Sequence, residues 1–224
     1  MDEFLKPTRY LNFDHPAVAK YALSAVEDAL PPGERTPKNI AVALFYRVRD
    51  GIRYSPYRLS LDPEAFTASC VAGCEEGHCI AKSILLAACL RYWNIPARLG
   101  FANVRNHLST PRFREYLKTD IFAFHGYTEM WLQGRWLKAT SAFNQKLCEK
   151  FGVETLDFDG ENDALFHQYD KKGGLYMEYV EDLGVYADLP YDLMIQTFRT
   201  HYPHIFAPQT AKIHGDFEAE AQSN

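Results

Sequence analysis

The tripeptide Gly77-His78-Cys79 stands directly before the apolar run from Ile80 to Leu90. A thiol attacks carbonyl carbon as its thiolate, and the free N–H groups and positive end of a helix start favour that charge. A helix beginning at Cys79 would therefore lower the thiol pKa, and its first-turn N–H groups could hold an oxyanion. Gly77 would let backbone and substrate approach closely. A buried structural cysteine is the plainer alternative, since free Cys is among the most buried residue types. His125 supplies a base for the first reading. It lies in Phe124-His-Gly-Tyr-Thr-Glu-Met-Trp-Leu132, whose alternation puts His125, Tyr127, Glu129 and Trp131 on one strand face, with Phe124, Gly126, Thr128 and Met130 on the other. An imidazole facing the start of the Cys79 helix could take the thiol proton and return it to a leaving amine.

Metal binding is the rival use of these residues. Cys70, Cys74, His78 and Cys79 form a C-x3-C-x3-H-C cluster of zinc-preferring types. The spacing lacks the paired C-x2-C of closed zinc sites, and adjacent His78 and Cys79 cannot easily converge on one ion, so zinc is the lesser expectation. Five cysteines, four of them between Cys70 and Cys89, make a poor disulfide framework and read as free thiols. No acidic loop has calcium-ligand spacing, and no cofactor is expected.

The elements that must position these residues are legible in outline. Asp14 is a candidate cap for a helix from Pro16 that Pro31, Pro32 and Gly33 stop; Thr36 as N-cap with Pro37 at N1 opens a second helix ending near Gly51. The stretch from Gly51 to Gly77 has no sustained period. The Cys79 helix is mostly buried and ends at Asn94 and Pro96. A strand follows over Ala97–Val104, then a β-hairpin turning at Gln133-Gly134.

These blocks carry a family resemblance. The run GHCIAKSILLAACLRYWNIPARLGF followed by HGYTEMWLQGRWLKAT resembles the transglutaminase-like superfamily of papain-related cysteine enzymes, especially bacterial members assigned as cysteine proteases. The likeness extends from Val48-Arg49-Asp50-Gly51-Ile52-Arg53-Tyr54 to Phe158-Asp159-Gly160, with Asn94 where the family usually has Gly. It implies an α+β papain/transglutaminase-like core: a nucleophile-bearing helix packed on an antiparallel β-sheet, with N-terminal helices added. It also implies a Cys-His-Asp triad, with activities spanning peptide hydrolysis, deamidation, amide transfer and, in some members, none. The usual Asp falls four residues after the hairpin Trp, and counting from Trp136 that position is Thr140. Thr140 fits the alignment, while Asn144 offers an amide in the Cys-His-Asn style. Tyr54, Tyr57 or Phe66 could wall the substrate groove or supply an oxyanion donor.

With 224 residues, 47% apolar and 24% charged, the chain can build one substantial core. A single domain is expected over 1–208, divided into helical 1–50, catalytic core 51–145 and C-terminal extension 146–208, with 209–224 a disordered tail. The net charge of −5 argues against nucleic acid, and the acid-rich stretch from Glu154 to Asp192 reads as a solvated face or lid. No apolar run approaches the roughly 20 residues of a membrane span. The N-terminus lacks a basic and apolar leader, so the expected location is the cytoplasm. The predicted function is a cysteine-dependent attack on a peptide or small amide, with water or an amine as acceptor. A non-catalytic binding or scaffolding member of the fold is the alternative.

Overall fold

The computed structural model describes residues 1–107, 109–166, 174, 176–207 and 214–221. Helix α1 spans Pro16–Ala29, and its cap is His15, whose Nδ1 accepts from Ala17 N at 3.2 Å, in place of the expected Asp14. Helix α2, Pro37–Gly51, starts as expected on Thr36, whose hydroxyl accepts from Asn39 N. The irregular stretch after it contains the two-residue strand β1 (Arg53–Tyr54), the short helix α3 (Ala68–Val71) and β2 (Glu76–Gly77). Parallel pairing of Tyr54 with Gly77 brings this stretch beside the helix that starts at Cys79.

That helix, α4, spans Cys79–Tyr92 and is buried at every position from Ile80 to Arg91. A helix enclosed all round needs no polar stripe, which is why its sequence shows little amphipathic period. Its end is a Schellman motif: Ile95 N donates to Leu90 O at 3.0 Å and Asn94 N to Arg91 O at 2.9 Å. Asn94 takes φ +58°, a left-handed conformation that Asn adopts more readily than most residues, so it can stand where Gly is usual.

Strand β3 (Ala97–Asn106), helix α5 (Pro111–Leu117), β4 (Ile121–Leu132) and β5 (Arg135–Ala139) follow. Gln133 and Gly134 both have positive φ, as a two-residue hairpin turn matching the strand twist requires. Helix α6 (Gln145–Phe151), strand β6 (Met177–Tyr186), helix α7 (Tyr191–His201) and the short α8 (Phe217–Glu220) complete the described elements. The antiparallel sheet has the order β5-β4-β3-β6, and α4 packs on its face between the sheet and the N-terminal helices. The fold is thus α+β, with the Cys79-bearing helix on an antiparallel sheet.

Two expectations change. The acid-rich stretch holds β6, an edge strand whose outward residues are exposed and whose backbone completes the sheet on β3. The tail expected to be disordered is ordered over 214–221, where Phe217 is only 2% exposed; 209–213 and 222–224 lie outside the described residues.

Arg91 fixes the far end of α4. Its buried guanidinium donates to Ala97 O at 2.9 and 2.8 Å, to Lys6 O at 2.7 Å and to Ala187 O at 2.5 Å. Burial draws its pKa down to about 10, so it stays charged at neutral pH. Arg91→Ala strands the buried Ala97 carbonyl, loses two part-buried bonds to Lys6 and Ala187 and empties the space of a buried side chain, so a loss of about 2–3 kcal/mol is expected in urea unfolding. A loss under about 1 kcal/mol would show that water replaces the guanidinium without penalty.

Candidate active site

Cys79 is the first helical residue of α4 and keeps partial solvent exposure. The helix tip meets β4 at Gly126, where an added Cβ would lie 3.1 Å from Ile80 Cα and 3.4 Å from Ile80 N. A residue without a side chain fits this backbone approach without displacing the helix tip. It turns the Gly126 N–H toward the Cys79 sulfur, joined by the N–H groups of Ile80 and of Cys79 itself. One turn along, buried Lys82 places its Nζ 2.8 Å from Arg49 O and 2.6 Å from Ile52 O, capping the carbonyl end of α2.

The amides and the Lys82 charge favour a thiolate, but loss of water outweighs them and pushes the Cys79 pKa up to about 11. The expected lowered thiol pKa is therefore corrected: the helix start is present, yet packing around the sulfur dominates. Lys82 moves the other way, drawn down to about 7 by burial.

His125 is 3% exposed and shares its strand face with Tyr127 and Glu129, while α4 packs on the Gly126/Thr128 face, where Thr128 Oγ1 donates to Ser83 O at 3.0 Å. The sulfur meets β4 at the Gly126 N–H, one residue along the strand from His125. A β-bulge sets the ring's direction. The β3–β4 register shifts between Ala102 and Val104, and Phe124 takes φ +59°, a strained value for a bulky residue. The amides freed by the bulge are both satisfied: Asn103 Oδ1 accepts from Phe124 N at 2.9 Å and the Tyr202 hydroxyl from Ala123 N at 2.6 Å. These two positioning residues escaped the sequence reading. Asn103 left one signal, a buried amide inside an apolar strand.

His125 Nε2 lies 3.3 Å from Thr140 Oγ1, which is also 3.5 Å from Gly126 O. Thr140 is itself held by its backbone, whose N–H donates to Ala164 O at 2.8 Å. Phe166 covers the imidazole with ring centroids 5.4 Å apart, and burial draws the His125 pKa down to about 4.

Asn144, the other candidate for the third position, is turned elsewhere. Its Oδ1 accepts from Tyr54 N at 3.0 Å and its Nδ2 donates to Glu218 at 3.1 Å. Of the upstream aromatics, Tyr54 lies beside Gly77 at the site, Tyr57 donates to Glu220, and Phe66 packs against the His78 ring.

The four residues of the zinc alternative do not converge. Cys74 Sγ donates to Cys70 O with both cysteines exposed, whereas His78 is buried with its Nδ1 unpartnered. Among the described residues no three His, Cys, Asp or Glu side chains form a metal-ligand set. Nor is any described helix long and apolar enough to cross a membrane.

A sequence profile of the transglutaminase-like superfamily matches residues 25–141, spanning Cys79, His125 and Thr140. The chain belongs to that superfamily. No curated protein matches it. Among solved structures, the chain is similar to a candidate cysteine protease from Cytophaga hutchinsonii, at 16% identity and a TM-score of 0.49. The similarity covers 85% of this chain and 48% of that one, so the present chain spans about half that protein's length.

The two buried imidazoles make stability depend on pH. His78 and His125 both fall from 6.5 to about 4 on burial, so the unfolded chain binds more protons between those values. Their contribution is complete above pH 6.5 and is lost as pH falls toward 4, by up to about 3 kcal/mol each. The urea midpoint should drop across this window, and less steeply in His125→Gln. Equal slopes would mean that His125 is not a buried proton acceptor.

Proposed function

We propose that the chain is a cysteine-dependent amide enzyme, a peptidase or amidase, with acyl transfer to an amine as the variant of the same chemistry. The reading rests on one arrangement: Cys79 at the tip of a buried helix, its sulfur against the Gly126 N–H, with the neighbouring His125 held through Nε2 by Thr140.

The Thr140 contacts favour one tautomer. A hydroxyl has a single proton, and donating it to Gly126 O leaves a lone pair to accept from His125 Nε2–H. Nδ1 then keeps its lone pair for the thiol proton. With the thiol near 11 and the imidazole near 4, the resting pair is neutral, so proton transfer accompanies attack rather than preceding it. In this mechanism Cys79 Sγ adds to the substrate carbonyl as Nδ1 takes its proton. The N–H groups of the α4 tip stabilise the oxyanion. The imidazolium next protonates the departing amine, leaving a thioester that water or an incoming amine resolves with His125 again as base.

The substrate is a peptide or small amide, and the aromatic rings nearest the two residues are Tyr54, paired with Gly77, and Phe166, against the imidazole. The competing reading, a binding module without turnover, draws on Thr140 itself, because a neutral hydroxyl stabilises imidazolium less than a carboxylate does.

A peptide and amide library, followed by variants, separates the two. Cys79→Ala should abolish turnover, and Thr140→Ala should lose about 10 to 100-fold, as other supports behind a catalytic group do. Asn144→Ala should lose far less. Thr140→Asp should raise the imidazole pKa and move Cys79 alkylation to lower pH. No turnover of any library member, with the Thr140→Asp alkylation profile superimposed on wild type, would sink the catalytic reading.

A further inference from the structure

The ordered C-terminal segment sits in a groove made by distant parts of the chain. Phe217 is inserted among Tyr54, Tyr57, Phe113 and Phe151, with ring centroids 5.7, 6.1, 5.7 and 5.8 Å away. Charges on either side are matched. Glu220 accepts from Tyr57 Oη at 2.6 Å, Thr110 Oγ1 at 3.0 Å and Arg112 at 3.2 Å, while Glu218 accepts from Asn144 and lies 3.6 Å from Lys150 Nζ. Asp216 lies 3.9 Å from Arg53. One aromatic anchor with flanking carboxylates, set against an aromatic pocket rimmed by cations, is peptide-recognition chemistry.

The groove also reaches the thiol. Tyr54, under Phe217, pairs through its backbone with Gly77, two residues before Cys79, and its N–H is held by the same Asn144 that binds Glu218. We propose that this groove is a receptor for an acidic peptide with an aromatic anchor, filled at rest by the chain's own residues 214–221, and that its filling restricts access to Cys79. The four-residue helix α8 is too short to persist alone, so the segment is held by docking, and Phe217 with its part-buried ion pairs are the contacts an exchanging peptide would reproduce. The inference concerns thiol access and stands whether or not Cys79 turns over a substrate.

The test is iodoacetamide labelling of the full-length protein at pH 8, with Cys79 and Cys89 quantified separately by peptide mass mapping. Phe217→Ala/Glu220→Gln should accelerate labelling of Cys79 about tenfold, since access scales with the undocked fraction. A synthetic peptide of residues 214–221 should restore the wild-type rate saturably, and the same peptide with Ala for Phe should not. Buried Cys89 is the internal control, because parallel acceleration there reports unfolding. In that case Glu220→Gln alone becomes the deciding variant, judged by the same outcomes. A Cys79 rate within about twofold of wild type, or a faster rate that the peptide leaves unchanged, overturns the proposal.

Discussion

The approach of α4 to β4 at Gly126 is the constraint on which the architecture rests. A helix lies this close to a strand most easily where the facing residue has no Cβ, since one added here would stand 3.1 Å from Ile80 Cα, tighter than ordinary van der Waals contact. Close-packed interiors do not yield locally, so a displaced helix tip would also move the segments packed around it. The same proximity brings the Cys79 sulfur to the His125–Gly126 peptide. Packing and chemistry therefore share one contact, and the bulge at Phe124 aims the imidazole relative to it.

Dense packing has an electrostatic consequence. The helix tip turns two N–H groups toward the sulfur and β4 adds the Gly126 N–H, an arrangement that favours a thiolate, yet burial outweighs it and keeps thiol and imidazole neutral. The protein meets its buried cations differently. Lys82 and Arg91 are satisfied by main-chain carbonyls at the two ends of α4, binding α2 at one end and residues 6, 97 and 187 at the other.

What the sequence revealed was local. Thr36-Pro37, the start of α4 at Cys79 and the Gln133-Gly134 turn each announce themselves within a few residues. Both candidates for the third site residue were visible, but their partners were not, because Asn144 is bound by Tyr54 and Glu218 from opposite directions along the chain. Thiol acidity was misjudged for a related reason: a helix start is a local feature, whereas desolvation is contributed by everything that packs around it. Strand β6 was hidden by its exposed outer residues. Phe217 was hidden because one aromatic in an acidic stretch carries no period. The Phe124 bulge depends on Asn103 and Tyr202, which no short window contains together.

The reach of Arg91 bears on how the chain is made. Its guanidinium is complete only when carbonyls of residues 6, 97 and 187 surround it, so a nascent chain that has produced α4 still carries a cation without its full shell. Residue 187 is synthesised long after the helix. The partly made protein must hold that charge near water and cannot seal its interior until the last partner arrives. Long-range closure of this kind slows folding, since chain entropy is lost before the contact is gained. The cation at the far end of α4 thus ties the completion of that helix's surroundings to the segment that follows the sheet's final strand.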